Sequence, residues 1–178
     1  KLPGRGLWVS SSRTAVDEAA RRGVFARGFK KAVQVSPTLA DETDAMLARS
    51  ATDALAMAGK AGQVVSGFAK TEAALAAGEA VALIHAADGS DDGIRKLDGK
   101  LAAAARETAE KTANLPIIRA FTTDELDLAL GRSNVVHAAL LAGPASKTFL
   151  ARCQTLDRYR QAAGNRPGAT GGRTTGAD

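Results

Sequence analysis

The chain has 178 residues, enough for one generous domain or two small ones, with 24 basic and 19 acidic side chains and a net charge of +5. Hydrophobic residues make up 45% but aromatics only 4%, so the core must be built from Ala and aliphatic side chains, a composition that favours helix. A single Cys excludes an internal disulfide and points to a reducing compartment, and no run approaches the roughly 18 apolar residues of a membrane span and no signal peptide is visible, so the expected location is cytoplasmic.

Residues 7–10, LWVS, are apolar and β-prone and read as a short strand. Thr14 is a candidate cap for a helix with Asp17 and Glu18 in its first turn, ended by Gly23. A second helical piece covers 24–31, and Ser36-Pro37 marks a break. Residues 39–59 read as helix in two pieces. Residues 63–66 are a buried strand, and 68–78 a helix closed by Gly78. A second strand, apolar on both faces, follows at 80–87, then the loop DGSDDG.

A long helix is expected over 92–113, with Ile94, Leu97, Leu101 and Ala105 on one face. Residues 116–121 are a third strand. Thr122 and Glu125 form a capping box for a short helix to Leu130. After a loop at 131–134 comes a fourth strand, 135–142. Pro144 opens a last helix that turns Phe149, Cys153 and Leu156 inward. The Gly-rich stretch 164–178 reads as a disordered tail. Strands alternating with helices predict an α/β fold, a three-layer α/β/α sandwich with a mixed or parallel sheet.

Charge divides along the chain. Residues 1–36 hold eight basic and two acidic side chains, 37–130 nine and fifteen, and 131–178 seven and two. With a pI near 9.7, basic ends around an acidic middle suit a polyanion, most simply a nucleic acid. A basic surface kept for solubility is the alternative.

Two resemblances follow from these segments. LPGRGLWVSSSRTAVDEAARRGVFARGFKK resembles the C-terminal part of the YlxR family of small bacterial RNA-binding proteins, through Gly4, Arg5, Gly6, Trp8, Arg27, Phe29 and Lys30. Members of that family begin earlier, which implies a chain that starts inside its first domain. AGQVVSGFAKTEAALAAGEAVALIHAADGS and FTTDELDLALGRSNVVHAALLAG resemble the kink-turn-binding ribosomal-protein superfamily of the L-seven-A-e type. The implied organisation is a YlxR-like basic module at 1–37, a helical linker at 38–49, a kink-turn-binding-type domain at 50–160 and a tail at 161–178. Three positions depart from the superfamily: where it supplies an Asn, a Glu and a Lys to RNA, this chain has Ala69, Lys70 and Ala73.

The candidate RNA-binding residues fall in three groups. Arg5, in the Gly4-Arg5-Gly6 turn, can fork onto a phosphate; Trp8 beside it reads as a core anchor, with base stacking the alternative. Arg21, Arg22, Arg27, Lys30 and Lys31 form a basic helical surface, with Phe25 and Phe29 on the opposite face and no acidic residue between Glu18 and Asp41. Gly67 and Lys70 open a helix whose N–H groups suit an anion, and the resemblance places Arg132, Ser133 and Asn134 near them.

His85 and His137 read as packed or edge histidines, with no metal spacing, and no catalytic or cofactor motif is found. The expectation is a non-catalytic protein without cofactor, binding structured or ribosome-associated RNA and no membrane. A protein-interaction adaptor and a nucleotide-binding α/β enzyme are the alternatives.

Overall fold

The computed structural model describes residues 6–107 and 115–161. In chain order its elements are α1 (Arg13–Arg21), α2 (Val24–Phe29), α3 (Leu39–Lys60), β1 (Val64–Ser66), α4 (Phe68–Ala76), β2 (Ala80–His85), α5 (Asp91–Glu107), β3 (Ile117–Ile118), α6 (Thr123–Leu130), β4 (His137–Leu141) and α7 (Pro144–Gln161). Two compact units result. One takes in the chain up to Ala40 with the end of α7 from Arg158; the other is Asp41–Asp157.

In the first unit Ser12, not Thr14, caps α1: its Oγ accepts the Ala15 N–H at 3.2 Å. Asp17 and Glu18 therefore fall beyond the first turn. Gly23, at φ 62°, makes the left-handed turn into α2, where a Cβ would be strained. Val16 and Ala19 are buried on α1, and the buried Tyr159 donates its hydroxyl to the Ala40 carbonyl at 2.9 Å.

The expected strand at 7–10 does not form. Residues 6–10 are irregular, because a strand needs a ladder partner and none pairs with them among the described residues. Residues 38–49 enter the structure largely as the first half of α3. That helix is continuous because nothing before Gly59 breaks it, whereas two pieces are expected from sequence.

In Asp41–Asp157 four strands form one mixed sheet in the order β1-β4-β2-β3. β4 runs antiparallel to both β1 and β2, and β2 is parallel to β3. Side-chain alternation sorts the strand residues onto two faces. Ala82, Ile84, Ala138 and Leu140 meet Ala51 and Leu55 of α3, Leu126 of α6, and Phe149 and Leu156 of α7. Leu83 and Ala139 meet Ala74 and Leu75 of α4 and Leu97 and Leu101 of α5. Ala80 joins this second face although Ala82 does not, because the register shifts between them.

Helices thus cover both faces, which is why β2 is apolar on both sides up to Ile84. β1 is half-buried rather than buried, since it lies at the sheet edge. β3 and β4 are shorter than their apolar runs. The expected continuation of α5 to 113 runs beyond Glu107 into 108–114, outside the described residues, as do the Ala105 side chain and the 164–178 stretch. Among the described residues no helix is long and apolar enough to cross a membrane.

Candidate nucleic-acid interface

In the first unit the candidate cations lie along α1, α2 and the turns that end them. Arg21 and Arg22 both reach Glu18 Oε1 at 3.3 Å, so these two are partly neutralised from within α1, a pairing hidden when only the residues after Glu18 are counted. Arg27 donates from Nη2 to the Arg22 carbonyl at 3.1 Å, closing the end of α1 with one of its five guanidinium N–H groups. Arg27, Lys30 and Lys31 are exposed, and Phe25 and Phe29 are half-buried, as the helical pattern requires.

Lys30 and Lys31 have no acidic partner among the described residues. α2 ends before them. Lys30 sits at φ 54°, ψ 35°, its N–H donating to the Arg27 carbonyl at 3.2 Å, and Lys31 N–H reaches the Ala26 carbonyl at 3.3 Å. Glycine usually occupies such a left-handed cap. A lysine there is strained by about 1–2 kcal/mol. The turn ties the backbones of both lysines to the end of α2.

Trp8 overturns the core reading: it is 101% exposed. With no strand formed at 7–10, there is no sheet face for the ring to be buried against. Arg5 lies outside the described residues.

The candidates in Asp41–Asp157 converge on one end of the sheet. Gly67, at φ 95°, precedes α4 and donates its N–H to the His137 carbonyl at 2.9 Å, so the chain entering β4 from 131–134 runs beside the start of α4. Phe68, Ala69, Lys70 and Ala73 are exposed there. The 131–134 loop differs from expectation in one respect. Asp127 accepts the Asn134 N–H through Oδ2 and the Val135 N–H through Oδ1, both at 2.7 Å, and its carbonyl accepts the Arg132 N–H at 3.1 Å. Asp127 therefore already holds the backbone N–H groups of Arg132, Asn134 and Val135 from within the chain. Only the exposed Arg132, Ser133 and Asn134 side chains face solvent.

A polar chain, buried at its two histidines, lies on the α4–α5 face of the same sheet. Register pairs His85 with His137, and their Nδ1 atoms stand 2.8 Å apart. His85 Nε2 lies 3.1 Å from Asp98 Oδ1 on α5, and Arg119 Nη2 donates to Asp98 Oδ2 at 2.5 Å. A carboxylate only accepts, so His85 carries its proton on Nε2 and accepts at Nδ1 from His137 Nδ1–H. His137 Nε2 is then a bare acceptor.

That nitrogen does not open into a cleft. A Cβ at Gly93 would stand 2.6 Å from it, and the Phe68 ring packs edge-on at 6.0 Å. Burial lowers the pKa of both imidazoles from 6.5. At His85 Asp98 opposes that shift and Arg119 adds to it; at His137 the neighbouring His85 adds to it and Asp98 opposes it. The sequence gives one weak signal for this chain, a His near the end of one apolar strand and a His near the start of another. No group of three or more His, Cys, Asp or Glu among the described residues is arranged to hold a metal. Cys153 is buried, and burial with the nearby Asp157 pushes its thiol up to about 12.

Neither a family model nor a characterised protein matches this chain. Among solved structures it is similar to a protein of unknown function from Bacillus halodurans C, at 18% identity and a TM-score of 0.49, over 58% of this chain and 96% of that one. At that identity and score the likeness assigns neither a family nor an activity.

Proposed function

We propose that this protein binds RNA without catalysing a reaction on it, through the cationic surface of α1 and α2. The observation that carries the reading is the exposed set Arg27, Lys30 and Lys31, with no acidic partner for either lysine among the described residues. Charge supports it: residues 1–40 and 158–178 together hold twelve basic and three acidic side chains, against twelve and sixteen in 41–157. Long-range attraction for a polyanion thus resides in one unit.

We read Asp41–Asp157 as a domain of the kink-turn-binding type, supported by its order of strand, Gly67, helix, Gly78, strand, and later α6, the Gly131 loop and β4. Its site lacks the polar side chains such recognition needs, at Ala69 and Ala73, and Asp127 takes the backbone N–H groups of Arg132 and Asn134 in the 131–134 loop. The expected preference for a kink-turn over a straight duplex of equal length is below tenfold, about 1.4 kcal/mol. A paired titration at one salt concentration measures it, and a preference of a hundredfold or more would contradict this account of the domain.

The experiment for the main reading is crosslinking in cells followed by sequencing of the bound RNA. The expected result is enrichment of stable, ribosome-associated RNA. Recovery no higher than that of a crosslinking control would refute the reading.

A further inference from the structure

We propose that Trp8 is a stacking platform for an unpaired base, so that the basic unit takes single-stranded RNA in preference to duplex; this rests on the RNA-binding reading above. The chain's one Trp is 101% exposed. A full indole in water is unusual for the side chain with the largest apolar surface.

The residue is nevertheless tethered on both sides. Leu7 lies directly on α2 at Gly28, where an added Cβ would stand 2.6 Å from both Leu7 δ-carbons. On the other side the Ser12 N–H bonds the Ser10 carbonyl at 2.7 Å, and Ser12 caps α1. Leu7, 37% exposed, rests on α2 at Gly28, whereas the Trp8 side chain next to it is wholly exposed.

The seat of Leu7, Gly28, lies between Arg27 and Phe29 on α2, whose end carries Lys30 and Lys31. Trp8 is one residue, about 3.8 Å of backbone, from that contact. An aromatic face beside backbone-directed cations is the combination by which single strands are held without sequence preference. A duplex offers those cations its phosphates, but its bases are stacked and its major groove is too deep and narrow for a side chain to enter.

Because the chain has one Trp, its emission reports this position. The full chain is titrated with a uridine oligonucleotide and with an RNA duplex of equal length, following Trp emission and, separately, anisotropy of labelled RNA. Emission should be quenched by the single strand and not by the duplex. Trp8→Ala should weaken single-strand binding roughly tenfold and leave duplex binding unchanged, with Trp8→Phe intermediate. Circular dichroism checks that the variants stay folded, as an exposed side chain allows.

Binding of both RNAs with no change in emission, or equal loss on both with Trp8→Ala, overturns this inference and leaves the cationic site standing. Failure to bind either RNA overturns the reading beneath it as well. A blue shift with phosphatidylserine vesicles and none with RNA assigns Trp8 to a membrane surface and overturns it too.

Discussion

At the scale of single residues, two positions hold unusual chemistry. His85 and His137 share one proton between facing Nδ1 atoms and are buried. The groups facing them are Asp98 from α5, Arg119 after β3 and Phe68 from α4. Their folded pKa values lie below 6.5, so the unfolded chain binds protons first. Their contribution to stability is complete above about pH 6.5 and is lost as pH falls through the lowered values, at roughly 1.4 kcal/mol per pH unit for each proton taken up. Urea midpoints between pH 7.5 and 5 should therefore fall; a flat profile would mean that the imidazoles are not held neutral. Lys30 is the second position. Lys30→Gly relieves a left-handed backbone, and its thermal midpoint should be no lower than that of the parent. The salt slope for single-stranded RNA should become shallower by about 0.7, the loss of one phosphate contact. An unchanged slope would remove Lys30 from the site.

At the scale of elements, the sequence reads best where local chemistry decides. Thr122 accepts the Glu125 N–H and Glu125 accepts the Thr122 N–H at 2.8 Å, so the capping box of α6 was visible in four letters. The apolar run of β2, the Gly78 stop after α4 and the inward Phe149, Cys153 and Leu156 of α7 were equally local. What depends on partners was hidden. Residues 7–10 have strand propensity but no ladder, and the His pair exists only because β4 returns antiparallel to β2. The Asp127 carboxylate seven and eight residues before its partners could not be inferred either. Asp127→Ala removes two hydrogen bonds to a charged acceptor, one from the buried Val135. The expected cost is about 2–3 kcal/mol, with faster amide exchange at Asn134 and Val135. Unchanged exchange at both amides would show that other groups hold the loop.

At the scale of the whole molecule, the division of charge was legible from composition, but not its division between two folded units. Basic residues divide equally, twelve to each unit, but only three acidic residues offset them in the first, while Asp41–Asp157 carries sixteen and is acidic on balance. RNA affinity should accordingly follow the basic unit. The most direct measurement is affinity for single-stranded RNA across a salt series, for the parent chain and for a variant with Arg27, Lys30 and Lys31 all changed to Glu. Three phosphate contacts give a slope of log K against log salt of about −2 on single strands, and the variant should bind far more weakly with its helicity retained. Parent binding that does not respond to salt, or a folded variant that binds as tightly as the parent, would contradict the assignment.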